Sequence, residues 1–178
     1  MSSIAATAAN ILRRFRRNRR GSAAVEFALI APVFFGLLFA IIEVAMVFFA
    51  SQLLETATQD SARMIMTGQA QMAAYTQAQF KNLVCSKVDS LFDCVNGIAI
   101  DVQSYSAFSS INISQPINGS NNFVPPNNYS PGGPGDIVVV RIFYQWPLFV
   151  TGLGFNVSNL SGSKRLLTAT AAFQNEPY

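Results

Sequence analysis

The sequence predicts an α+β protein with a long N-terminal membrane-spanning helix, a second short helix and a small antiparallel sheet of at least three strands. Three observations carry that expectation. The 24 residues from Phe27 to Ala50 contain one ionisable group, Glu43. The residues that follow keep apolar side chains at helical spacing. Beyond Asn96 and Gly97 the spacing changes to strict alternation.

Those 24 residues, as helix, span about 36 Å at about 1.5 Å per residue, which covers the hydrocarbon core of a bilayer. Fifteen of the 24 are Leu, Ile, Val or Phe. Each favours insertion by about 0.3–0.6 kcal/mol, against a penalty of about 3 kcal/mol or less for one off-centre carboxylate. Insertion wins despite Glu43, whose role is open: a second contact between helices, or a side chain buried in a bundle. Six arginines lie between Arg13 and Arg20. Basic residues beside a span stay in the cytoplasm, so the chain after Ala50 is expected outside.

The net charge of +3 conceals an asymmetry: the six basic residues before Gly21 have no acidic neighbours there, while six basic and nine acidic residues follow. The basic cluster faces the inner membrane surface, where anionic lipid is the expected neighbour, and nucleic acid is not expected as a partner.

Four regions follow. Residues 1–21 are a basic cytoplasmic leader, either a helix resting on the membrane through Ile4, Ala8, Ile11, Leu12 and Phe15 or an unstructured tail. Residues 22–50 are the transmembrane helix, with Pro32 and Gly36 as either a kink or a tolerated pair. Residues 51–72 extend that helix outside, with Leu53, Leu54, Ala57, Met64 and Ile65 as its apolar stripe, Asp60 and Arg63 as an i, i+3 pair and Gly68 as an end or bend. Residues 73–178 form the exported α+β domain.

Within that domain, Met72, Tyr75, Phe80 and Val84 mark the stripe of a helix between Ala70 and Val88. "GIAIDVQ", "DIVVVRIFYQWPLF" and "KRLLTATAAFQNE" alternate as strands, and the Asn, Ser, Pro and Gly of 109–135 read as an exposed loop or irregular arm. Cys85 and Cys94 are separated by eight residues, which favours a structural disulfide over the redox role of a C-x-x-C pair. In the loop-entropy model such a bridge contributes about 2.7 kcal/mol.

The chain contains no histidine, which removes His-based triads and most zinc sites. No Gly-rich phosphate loop follows a strand; "SPGGPG" precedes one, and its prolines lack N–H donors. No catalytic residue, cofactor or metal is expected. A tethered periplasmic enzyme is the rival from another class, with Asp101, Asp136 and Glu176 in a cleft.

The informative constellation is the junction, where Gly21 directly precedes the apolar helix and Glu26 and Phe27 follow. A removable signal peptide is cut after its apolar run; here the run is too long, and "VFFASQ" is a weak site. A mitochondrial presequence also fits an Arg-rich, acid-free start, but no gap separates it from the membrane helix. Cleavage before the helix fits best.

"RRGSAAVEFALIAPVFFGLLFAIIEVA" resembles the N-terminal segment of TadE-like proteins, minor pseudopilins of tight-adherence (Tad, Flp-type) pili. "LLETATQDSARMIMTGQ", the cysteine pair, "VVRIFYQWPLF" and the terminal "LLTATAAFQNEPY" are similar to the family's habit. The resemblance implies a pilin-like subunit of the bacterial inner membrane, single-pass, with a periplasmic C-terminal domain, acting in pilus assembly, surface adhesion and biofilm formation. It implies cleavage between Gly21 and Ser22 by a prepilin peptidase, with other pilins, pseudopilins and Tad inner-membrane assembly proteins as partners. Glycine suits a protease that binds extended backbone closely. Glu26 and Phe27 become assembly and recognition residues, and the new ammonium group of Ser22, in its own or a neighbouring subunit, becomes the partner of Glu26. Without cleavage, Glu26 is an interfacial carboxylate snorkelling to water, and the chain is an uncleaved signal-anchored periplasmic binding protein. Ser22 departs from the aromatic first residue of many type IV pilins, so the resemblance does not extend to N-terminal methylation.

Overall fold

The first helix, α1, runs without interruption through Pro32, from Ser22 to Met66. The computed structural model describes residues 21–88, 90–94, 96–150 and 156–178, so the basic leader and its amphipathic stripe lie outside the described residues. The chain divides into two compact units, 1–41 and 42–178. In the first, the apolar side chains of α1 from Val25 to Ile41 are predominantly exposed, as expected of a helix whose solvent is lipid.

In the second unit α1 acquires a buried face. Glu43, Val47, Ala50, Leu54, Ala57, Thr58, Ser61, Ala62 and Ile65 are buried, at spacings of three, four and seven. Small residues predominate on this face. The helix ends at Gly68, whose φ of 75° is a left-handed conformation in which glycine carries no Cβ penalty.

The helix expected between Ala70 and Val88 is two pieces, α2 (Gln69–Met72) and α3 (Gln77–Val88). Ala74, at φ 49°, separates them. Thr76 and Gln79 then start α3 as a reciprocal cap: the Thr76 N–H donates to Gln79 Oε1 at 2.8 Å, and the Gln79 N–H to Thr76 Oγ1 at 3.3 Å. The break shifts the helical phase, so Phe80, Val84 and Val88 are buried while Met72, expected in the same stripe, is exposed. Asp60 forms its ion pair with Lys87 of α3, at 3.6 Å, instead of the expected Arg63.

Three strands follow, β1 (Ile98–Tyr105), β2 (Ile137–Pro147) and β3 (Lys164–Gln174). They form an antiparallel sheet in the order β1-β2-β3. Residues paired in register share a face, and Ile100, Ile142 and Ala169 lie beside Val102, Val140 and Ala171 in one core with Leu54, Ile65, Phe80 and Val84 of the helices. The α+β architecture is therefore as the sequence predicts.

The sheet's second face differs from the expectation. Ile137 through Tyr144 are all buried, so central β2 is covered on both sides. The cover includes the polar 109–135 arm, much of which is exposed but which turns Ile117 and Phe123 inward against Phe143 and Leu166. Phe123 and Phe143 have ring centroids 5.6 Å apart.

Candidate functional site

At the junction, Gly21 is exposed, and among the described residues nothing lies within 4 Å of a Cβ built there. Packing among the described residues therefore does not require glycine at this position. Ser22 begins α1, and its hydroxyl donates to Glu26 Oε1 at 3.0 Å, one turn further on. The first residue of the helix and the carboxylate thus lie on one helical face. Glu26 is exposed, and so is the Phe27 ring. The four junction residues are therefore accessible, and they border the apolar surface of the first unit.

Glu43 has a different environment. It is 7% exposed, and its carboxylate accepts the backbone N–H groups of Phe149 and Val150, the latter at 3.1 Å to Oε1 and 3.2 Å to Oε2. Neither role left open by the sequence, a second contact between helices or burial in a bundle, is required to satisfy this carboxylate. Its partners are main-chain donors 106 and 107 residues away in the same chain.

Of the carboxylates in the rival enzyme hypothesis, Asp101 and Asp136 accept hydrogen bonds within the domain and Glu176 is exposed. Asp101 is buried and paired with Arg141, with Arg141 Nη2 2.6 Å from Asp101 Oδ2. Gln103 and Asn128 also donate to Asp101, and Arg141 Nη1 donates to the Ser114 carbonyl. Asp136 accepts the Gly133 N–H at 2.8 Å. Glu176 is exposed, while its backbone N–H donates to the Met66 carbonyl at 2.8 Å, satisfying an orphan acceptor at the end of α1.

The terminal Asn-Glu-Pro-Tyr acquires a structural account from these contacts. Buried Asn175 donates from Nδ2 to the carbonyls of Pro131 and Gly133, both at 2.9 Å. The Tyr178 ring occupies the space where a Cβ at Gly68 would sit. The tail therefore ties the end of α1 to the turn before β2.

Cys85 and Cys94 form a disulfide with Cα atoms 5.7 Å apart. The closed loop carries Phe92 into edge contact with Tyr144 and Trp146, at centroid distances of 4.7 and 6.0 Å. An open cleft of about 610 Å³ lies along β1 at Ile98–Ile100, walled by Gln77, Lys81, Phe123 and Pro125. Among the described residues, no cluster of His, Cys, Asp or Glu could hold a metal ion.

Gly21, Ser22, Glu26 and Phe27 are adjacent on one helix start, while the half-buried disulfide packs against the core of the second unit. Sequence reasoning missed the Thr76–Gln79 cap, for which T-x-x-Q was a readable signal. It also missed the partners of Glu43 and the pairing of Asp101 with Arg141 and Asn128, which have no local signature because they come from distant segments.

By length and composition α1 can cross a membrane. The family model described as TadE-like protein matches residues 21–63, the junction and most of α1. No curated protein and no solved structure matches the chain.

Proposed function

We propose that this chain, TadE-like over residues 21–63 and so related to Tad pilus proteins, is a minor pseudopilin or assembly subunit of a Tad (type IVb, Flp-type) pilus. A prepilin peptidase cuts it between Gly21 and Ser22. The product stays in the inner membrane through α1, with its C-terminal domain in the periplasm, until it joins other pilins, pseudopilins and Tad assembly proteins. Its role is non-catalytic, in pilus biogenesis and through it in surface adhesion and biofilm formation.

One observation carries the proposal: a glycine that no packing among the described residues requires stands immediately before an apolar helix with an exposed surface. A glycine without an internal reason suits recognition from outside, and a peptidase that grips extended backbone benefits from the missing Cβ. After the cut, Ser22 carries an ammonium group one turn from Glu26, which offsets the cost of a carboxylate at the membrane edge.

Intact-mass measurement of the protein purified from cells with an active prepilin peptidase tests this. A chain beginning at Ser22 is expected. A protein that retains its arginine-rich leader would instead be an uncleaved signal-anchored periplasmic binding protein.

A further inference from the structure

The second unit carries apolar surface of its own. Phe149 is 85% exposed, and on the first turns of α1 within this unit Ile42, Phe48 and Phe49 are 48%, 71% and 60% exposed. Phe149 is tied to the helix, because its N–H and that of Val150 are held by Glu43. The residue before it, Leu148, is buried in the core and held by the Ser163 carbonyl at 2.9 Å. The exposed ring therefore projects from an anchored backbone.

We infer that Phe149, with Phe48 and Phe49, forms an apolar foot that seats the C-terminal domain in the outer interface of the bilayer. The occupant of this surface is lipid, an assignment that rests on the membrane-spanning reading of α1. Helix contour supports it: Glu43 follows Ser22 by 21 residues, about 32 Å at about 1.5 Å per residue, close to the hydrocarbon thickness. Glu43 then stands at the outer boundary, where Phe149, held to it, reaches the headgroup and upper acyl region. Phe48 and Phe49 lie on the same helix five and six residues beyond Glu43, about 8–9 Å further along, at headgroup depth.

Glu43 makes the seat feasible. A carboxylate at this depth with no partner would draw in water, whereas two backbone N–H groups satisfy it and leave the rings in contact with acyl chains. Pro147, Leu148 and Val150 beside Phe149 carry no charge to oppose insertion.

Site-directed spin labelling tests the inference on the full chain in phosphatidylethanolamine and phosphatidylglycerol vesicles. Phe149→Cys, Phe35→Cys and Phe108→Cys are labelled separately; the native cysteines are bonded to each other and do not react. Phe35 reports the helix, and Phe108, exposed on the 3₁₀ turn after β1, reports the aqueous side. The ratio of oxygen to nickel-chelate collisions at 149 is expected to approach that at 35 and exceed that at 108 severalfold. A label at 149 freely reached by the chelate while 35 is not overturns the foot and leaves the span intact. A label at 149 shielded from both reagents means a protein partner covers the ring, which also overturns it. Chelate access at both 35 and 149 removes the membrane-spanning reading itself.

Discussion

Asp101 and Arg141 stand directly opposite each other on β1 and β2, 1% and 4% exposed, joined by two hydrogen bonds of 3.0 and 2.6 Å to a single carboxylate oxygen. The pair also gathers the polar arm, since Ser114 and Asn128 complete its hydrogen bonding. Removing one partner strands a buried charge. Arg141→Leu is expected to cost about 3–5 kcal/mol, and Asp101→Leu with Arg141→Leu distinctly less than either single change. Urea unfolding of the full chain in detergent measures this cycle. Single variants as stable as the parent would show that the pair is not the arm's anchor.

Gly68 combines a left-handed backbone with the Tyr178 ring against its Cα. Gly68→Ala is expected to lose about 1–2 kcal/mol from backbone strain alone, with a further loss from displacing the ring. The same change in a Tyr178→Ala background should cost less, because only the strain is left. Equal costs in the two backgrounds would mean the tail does not pack there.

Glu43→Leu removes the acceptor of two backbone donors and is expected to destabilise the second unit by about 1–3 kcal/mol, with faster amide exchange at Phe149 and Val150. Glu43→Gln keeps one acceptor oxygen and should fall between. Exchange at these two amides that is indifferent to Glu43→Leu would contradict the contact.

Gly21→Phe should leave thermal unfolding unchanged, because among the described residues nothing lies within 4 Å of the added Cβ. In cells with an active prepilin peptidase it should accumulate the full-length precursor. Continued production of a chain starting at Ser22 would place the recognition elsewhere.

Tyr129 supplies a pH dependence. Burial pushes its phenol above the usual value near 10, and the neighbouring Tyr75 adds to the rise. Its pKa is therefore higher folded than unfolded, and the unfolded chain releases the proton first. Its contribution is complete below about pH 10 and declines as pH climbs from there toward the folded pKa. Unfolding midpoints compared between the parent and Tyr129→Phe from about pH 9 to 11 should converge in slope at the lower end, with a steeper alkaline loss in the parent.

Much of the fold was legible because its signals are local. The apolar run, the stripe of α1 through Leu54, Ala57 and Ile65 and the alternation of β1, β2 and β3 each arise from the period of one element, and the structure places Leu54, Ile100, Val140 and Ala171 in the core accordingly. The break at Ala74 was less visible, since helical propensity continues across it and a tertiary constraint decides. The T-x-x-Q cap marks the restart.

By itself the sequence determined an apolar helix preceded by a basic cluster and a glycine, then a small α+β domain, because length, charge order and hydrophobic period are properties of the chain. Only the tertiary structure decided what satisfies its isolated polar groups. Glu43 is met by Phe149 and Val150, Asp101 by Arg141 and Asn128, and the Met66 carbonyl by Glu176. Buried donors and acceptors must be paired, but folding supplies their partners from segments tens of residues away, beyond the reach of any local pattern.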